Sequence, residues 1–391
     1  MRKNMECYLD NAATTQPLSQ VCELVAEAMG TAYGNPSSLH KKGVESEQYI
    51  RQAAERIART LKCQTKNIIF TSGGTESNNM ALIGTALANR RQGQHIITTC
   101  FEHPSVHEPL IYLENMGYEI TMLPVDKNGH IEPETVKEAL REDTILVSVM
   151  LVNNEVGAVL DVEGISRVIR EYSQDILFHV DAIQAYGKMR LKPERMGVDL
   201  MSASGHKIHG PKGIGFLYIS DRVKMHAYLH GGGQQGGRRS GTETVPGIAG
   251  LGLAAEEMHR EMEEKREYLY SLKRHFLSRI EEIEGVTVNA CEPSFIEQTA
   301  PHIVSVSFAG LRSEVLLHAL EERGIYVSSG SACSSNHPGI SGTLQAIGVP
   351  AELLESTLRF SFSVFTTKEE LDYTVECLKE LVPVLARYTR H

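Results

Sequence analysis

Lys207 stands in Ser204-Gly205-His206-Lys207-Ile208-His209-Gly210, downstream of an apolar run that ends in a carboxylate, Phe178-His179-Val180-Asp181. A lysine placed between glycines and after a short strand can reach into a cleft. Its amine becomes a nucleophile when burial or a positive neighbour lowers its pKa from about 10.4, and His206 and Lys212 are the neighbours in sequence suited to that. Asp181 closes what reads as an interior strand, where a carboxylate is costly unless a cation or strong donors face it. The plainer alternatives are a helix N-cap or a strand-end salt bridge for Asp181 and a solvated surface position for Lys207. A reactive amine and a buried acid are together what a pyridoxal-type aldehyde cofactor requires. The amine forms a Schiff base, the acid keeps a pyridine nitrogen protonated, and a third need is a set of donors for the phosphate.

A candidate for that third need follows the strand Ile68-Ile69-Phe70, which runs into Thr71-Ser72-Gly73-Gly74-Thr75-Glu76-Ser77 and then a helical stretch. A glycine turn and hydroxyls at a helix N-terminus offer free N–H groups and a favourable dipole to an anion. An ordinary capped helix start looks the same. A second glycine-rich stretch, Gly231 to Thr242, adds Arg238, Arg239 and hydroxyls, and standing alone it reads as a surface loop. His103, in Cys100-Phe101-Glu102-His103-Pro104, sits where a loop leaves the sheet; an imidazole there can stack on a ring and relay protons. The pair His206 and His209 invites a metal, but the intervening pattern makes a poor helix and no acid follows at ligand spacing, so no metal site is expected.

Cys333 lies among small residues in Ser328-Ser329-Gly330-Ser331-Ala332-Cys333-Ser334-Ser335-Asn336, so an exposed, mobile thiol is expected. It is either an adventitious surface cysteine or a soft nucleophile that carries a product away from a site. Arg359, in Thr357-Leu358-Arg359-Phe360-Ser361-Phe362-Ser363, falls on the polar face of an alternating strand, where a guanidinium can clamp a carboxylate with two parallel bonds.

The elements that must position these groups follow from length and rhythm. The chain has 391 residues, enough for one large and one smaller domain, with no low-complexity tract. Its formal net charge of -10 argues against nucleic acid or an anionic membrane as a direct partner. No apolar signal core or membrane-length run is present, so a cytoplasmic location is expected. Seven cysteines without a Cys-x-x-Cys pair argue against a disulfide framework. Strands are expected at Asn67–Thr71, His95–Thr99, Glu119–Leu123, Thr144–Leu151, Ile176–Asp181, Leu200–Ser204 and Gly215–Ile219, alternating with helices such as Val44–Leu61 and Pro133–Leu140. That is the pattern of a mostly parallel sheet covered on both faces. A long charged helix is expected from about Ala254 to Glu284, followed by strands at Ile303–Phe308 and Thr357–Ser363 in a smaller α+β domain.

Taken in order, several stretches make the chain resemble a known family. They are Tyr8-Leu9-Asp10-Asn11-Ala12-Ala13-Thr14-Thr15, Gly34-Asn35-Pro36-Ser37-Ser38, Phe70 through Ser77, Val152-Asn153-Asn154-Glu155-Val156-Gly157, His179-Val180-Asp181-Ala182-Ile183-Gln184, Ser204-Gly205-His206-Lys207, Arg239-Ser240-Gly241-Thr242 and Ser329-Gly330-Ser331-Ala332-Cys333. The series resembles the class I cysteine desulfurases of the NifS/IscS type, pyridoxal 5'-phosphate enzymes of fold type I. The resemblance implies an α/β fold: a large cofactor-binding domain over residues 15–255 with a mostly parallel seven-stranded sheet, and a smaller α+β domain formed by residues 1–14 and 256–391.

It further implies a Schiff base at Lys207, with Asp181 on the pyridine nitrogen, His103 stacked on the ring and moving protons, and Gln184 on the ring oxygen. Gly74, Thr75, Ser204 and His206 would hold the phosphate, with Thr242 supplied by the other subunit of a homodimer. Asn154 and Arg359 would hold L-cysteine, Asn154 also touching the cofactor. Cys333 would take the sulfur as a persulfide, release alanine and serve sulfur-acceptor proteins such as an iron-sulfur scaffold, with which it could transiently ligate a cluster. Three departures from the family pattern stand out: Ile183, Gly74 where alanine is common, and the extended stretch Asn336 to Ile340, which bears on which acceptor docks. The rival readings are a selenocysteine lyase, an aminotransferase of the same fold, or a non-catalytic cofactor-binding scaffold.

Overall fold

The computed structural model describes residues 5–329 and 340–387. Seven strands form one sheet in the order Ile68–Thr71, Gly215–Ile219, Leu200–Ser204, Leu177–Asp181, Thr144–Met150, His95–Thr99, Glu119–Leu123. Gly215–Ile219 runs antiparallel to both of its neighbours and every other pairing is parallel. The strands at the centre are buried along their whole length, as expected when helices cover both faces. On one face Phe178, Val180, Met201 and Phe216 join the larger core; on the other Leu146, Leu177, Leu200 and Leu217 join a second one. Alternate side chains of each strand therefore feed two cores, which is why these segments read as unbroken apolar runs.

The parallel arrangement brings the carboxyl ends Thr71, Thr99, Met150, Asp181 and Ser204 to one edge of the sheet. Ligands of open α/β sheets bind at that edge.

The remaining core is separate. Strands Ser328–Ser329, Thr357–Ser361, Ile303–Phe308 and Val286–Asn289 form an antiparallel sheet in that order. Helices Met262–Ile280, Ser313–Glu321 and Lys368–Leu385 contribute Phe276, Leu316 and Leu378 to its core, where Phe276 packs at 5.0 Å between ring centroids from Phe360. The short strand Cys7–Tyr8 pairs in parallel with Ile325–Tyr326, so Cys7 and Leu9 are buried in this core too.

The expected strands lie within two residues of where the alternation places them. The single long helix does not form. Val245–His259 and Met262–Ile280 are separate helices, broken at Arg260 and at Glu261, whose φ of 52° lies in the left-handed region. No glycine or proline marks the break. Lys265 donates to the carbonyls of Glu257, at 2.8 Å, and of Arg260, satisfying the end of the first helix.

Candidate active site

Lys207 ends a single 3-10 turn, Gly205–Lys207, that leaves the strand Leu200–Ser204. Its Nζ donates to the carbonyls of Ala12 at 2.5 Å and Ala13 at 2.8 Å. The Ala12 peptide is fixed in turn, because Ala12 N–H donates to Ser361 Oγ at 2.8 Å and Gln184 Nε2 donates to Ala12 O at 2.8 Å. A cationic neighbour that sequence reasoning missed lies behind: buried Lys188 donates to Lys207 O at 2.8 Å. Burial, and then the charge of Lys207, push the Lys188 amine down to about 7. Burial also drives His206 down to about 4, helped by Lys207, Lys212 and Lys188, so its imidazole is neutral near pH 7. His209 turns away, stacking edge-on to Phe365 and pairing Nδ1 with Gln16 O. The two histidines do not converge.

Asp181 sits at the end of its strand, 4% exposed. Ile183 N–H reaches Oδ1 at 2.9 Å and the Asn78 amide reaches Oδ2 at 2.8 Å. Burial pushes this carboxyl up, and those two donors with the charges of His103 and Lys207 pull it back. The same Asn78 amide gives its other hydrogen to Ser105 Oγ at 2.9 Å, and Ser105 Oγ lies 2.8 Å from His103 Nδ1. Ser105 N–H also reaches Nδ1, at 3.0 Å, so His103 is the N-cap of the helix Pro104–Asn115 rather than a free loop residue. With Nδ1 accepting, the neutral ring carries its proton on Nε2. Burial lowers the His103 pKa, Asp181 opposes that and Lys207 adds to it. Asn78 and Ser105 thus bind the acid to the imidazole, and neither carried a distinctive motif.

At the glycine turn, Gly74 begins a helix and Thr75 is exposed beside it. Ser204 Oγ faces this turn, buried and with no hydrogen-bond partner. A buried hydroxyl without a protein partner can donate to an outside acceptor. Arg239 does not join it, being paired with Glu76 at 2.7 Å and 3.2 Å. Thr242 is exposed and lies off the cavity of its own chain.

Arg359 is held from two sides, Nη1 to Asn154 O at 2.9 Å and Nη2 to Asp10 Oδ1 at 2.8 Å. Its strand is buried throughout instead of showing the solvated polar face that alternation suggested, and Arg359 Nε is buried without a partner. Gln184 Oε1 accepts from His302 Nε2 at 3.2 Å; His302 is a fully buried imidazole that burial and four nearby cationic side chains keep neutral. Cys333 lies outside the described residues.

One cavity of about 290 Å³ gathers Gly74, Thr75, His103, Asn154, Asp181, Gln184, Ser204, His206, Lys207 and Arg359. Its walls carry an amine, a carboxylate, an imidazole and, on Ser204 and Arg359, two buried donors without protein partners.

Residues 7–374 match the family model of the class-V aminotransferases. A cysteine desulfurase IscS from Dictyoglomus turgidum is 43% identical over 381 residues, covering 97% of this chain and 95% of that protein. A protein from Bacillus subtilis named as a putative cysteine desulfurase IscS 1 is 42% identical over 376 residues, 96% and 98% of the two chains. Among solved structures, a NifS-like protein superposes with a TM-score of 0.91 at 35% identity, covering 97% of this chain and all of the other. A structure of SspA in complex with cysteine superposes at 0.77 with 31% identity, covering 93% and 100%. The chain belongs to the class-V aminotransferase family, in its branch of IscS- and NifS-like cysteine desulfurases.

Proposed function

We propose that the protein is a pyridoxal 5'-phosphate-dependent cysteine desulfurase. It takes the sulfur of L-cysteine onto the Cys333 thiol as a persulfide, releases L-alanine and passes the sulfur to acceptor proteins, an iron-sulfur scaffold among them. The observation that carries the reading is the convergence of Lys207, Asp181, His103 and Arg359 on one cavity, in a chain whose relatives are named for this activity.

The residues present suit the cofactor. Ser204 Oγ, unpartnered and buried beside the Gly74 turn, is a ready donor for a phosphate, with Thr75 and His206 on the same wall and Thr242 of a second subunit completing it. Asp181 would receive a pyridinium N–H, and Lys207 would hold the aldehyde carbon. His103 would lie over the ring. Gln184 Nε2 spends one hydrogen on Ala12 O and keeps the other for the ring oxygen, near Asn154. Bound here, the cofactor supplies an electron sink for negative charge developing at the substrate Cα.

The chain's own groups do the rest. The Arg359 Nε hydrogen has no protein partner, so a substrate carboxylate finds a fixed charge-assisted donor there. Lys207 Nζ would serve as the base that takes the Cα proton. His103 Nε2 exchanges protons with the leaving sulfur and the Cys333 thiol, whose ordinary pKa of about 8.5 leaves it mostly protonated at pH 7. The same reading takes residues 15–255 as the cofactor unit, residues 1–14 with 256–391 as the smaller unit, and the protein as a cytoplasmic homodimer without a nucleic-acid or membrane partner. Among the described residues no helix is long and apolar enough to cross a membrane.

Mass spectrometry of the holoenzyme after incubation with L-cysteine tests the proposal. One added sulfur atom on Cys333, with alanine formed in equal amount, is the expected result. Alanine produced at the wild-type rate by Cys333→Ser would overturn it.

A further inference from the structure

Glu155 follows the cavity residue Asn154 and is not needed to hold cofactor or substrate. Its backbone is pinned by the Asn153 side chain, which accepts from Glu155 N–H at 2.9 Å and Val156 N–H at 3.0 Å while donating to Phe101 O at 3.1 Å. Its own carboxylate, largely enclosed, accepts from Ser341 Oγ at 2.5 Å and Thr343 Oγ1 at 3.1 Å. Burial raises its pKa, while the two hydroxyls and then the charge of Arg359 lower it. Ser341 is the N-cap of the helix Gly342–Ala346, accepting from Leu344 N–H at 3.1 Å. One carboxylate therefore fixes both hydroxyls at the start of that helix.

The opposite side of the same cavity wall is tied as well. Ser328 and Ser329 pair with Arg359 and Leu358, and Arg359 in turn holds Asn154 O. Cys333 is four residues past Ser329 and eight before Ser341. Both flanking points of this sequence are thus bound to the short peptide Asn154-Glu155, one through Arg359 and one through Glu155.

We propose that Glu155 is a positioning residue for sulfur transfer, its carboxylate fixing the chain at Ser341 and Thr343 to the peptide that presents Asn154 to the cavity. The inference rests on Cys333 being the sulfur acceptor. Cys333 is joined through the chain to both flanking points, and loss of either removes one of the two constraints on it, lowering its effective concentration at the substrate sulfur. Groups that act on the substrate Cα are untouched by this contact.

The test uses holoenzyme in rapid mixing with L-cysteine, reading two signals: the change of the cofactor's visible absorbance, and the persulfide on Cys333 by quenched-flow mass spectrometry. For Glu155→Ala the absorbance change is expected at the wild-type rate, with persulfide formation at least tenfold slower. Ser341→Ala/Thr343→Val, which removes the same bonds from the other side, is expected to reproduce that split, and it remains informative should Glu155→Ala fold poorly. Glu155→Gln, which keeps one acceptor oxygen, should recover part of the rate. Equal slowing of both signals, or wild-type persulfide formation in the double variant, overturns the proposal. Cys333→Ser run alongside separates the two ideas: if it still yields alanine, the acceptor assignment fails; if it does not, a silent Glu155→Ala condemns the positioning role alone.

Discussion

Ile183 places its Cδ1 2.2 Å from the point where a Cβ on residue 74 would stand, so the isoleucine occupies the space that a larger residue at Gly74 would need. Gly74 and Ile183, two of the three positions that stood out in the sequence, are therefore one packing unit on the cavity wall, with Gly74 left bare because Ile183 reaches over it. Gly74→Ala alone is expected to force Ile183 aside at about 1–3 kcal/mol, the usual range for overpacking. Borne by the cofactor-bound state alone, strain of that size would read in an absorbance titration as a loss of pyridoxal phosphate affinity of roughly fivefold to 150-fold. Ile183→Val removes Cδ1, and combined with Gly74→Ala it should restore most of the affinity. A double variant as weak as Gly74→Ala would show that the contact is not what excludes alanine.

Lys207→Ala is expected to abolish the visible absorbance that borohydride bleaches in the holoenzyme. Lys188→Met, which removes the neighbouring cation but keeps a long stem, should leave that band in place while altering its pH titration. An unchanged spectrum in Lys207→Ala would refute the lysine assignment.

Arg359→Lys should raise the KM for L-cysteine by about tenfold or more, because an ammonium cannot reproduce the fork that reaches Asn154 O, Asp10 and a carboxylate together. Arg359→Ala should add a loss of stability of about 1–3 kcal/mol by leaving Asp10 without its partner. Thermal melting of the two variants distinguishes the effects; an unaltered cysteine dependence in both would contradict the clamp.

Glu102 gives a pH dependence of defined sign. Its Oε1 accepts from Thr99 Oγ1 at 2.6 Å and Met150 N–H at 2.8 Å, while Oε2 is buried without a partner. Burial raises its pKa from an ordinary 4.5 to about 8, against the pull of those two bonds. Between those values the folded protein holds a proton that the unfolded chain has released. Stability from this group is therefore full below pH 4.5 and declines as pH rises toward 8. Glu102→Gln cannot titrate, so its melting temperature relative to wild type should climb from pH 5 to pH 8. A constant difference would show the carboxyl ionised throughout.

Much of the site could be read before any coordinates, because its parts follow the carboxyl ends of strands with strong apolar signatures. Gly74, Asp181, Ser204 and Lys207 each come within four residues of such an end, so calling the strand places the residue. What stayed hidden is polar residues whose meaning lies in a distant partner. Asn78, Ser105 and His302 look like helix or strand filler until Asp181, His103 and Gln184 arrive beside them. The break at Glu261 was equally silent, since no glycine or proline marks it and Met258 and Met262, both buried, read as one continuous apolar helix face.

The carbonyls that receive Lys207 belong to Ala12 and Ala13, and Ala12 is itself held by Ser361 from 349 residues away. During synthesis those alanines emerge long before either partner exists. Lys207 can therefore acquire its final seat only after the strand bearing Ser361 has left the ribosome, so a nascent chain halted at any earlier point would carry the amine without its cradle. Fragments truncated before Ser361 are therefore expected to take up no pyridoxal phosphate, which the absorbance of the purified fragment would report.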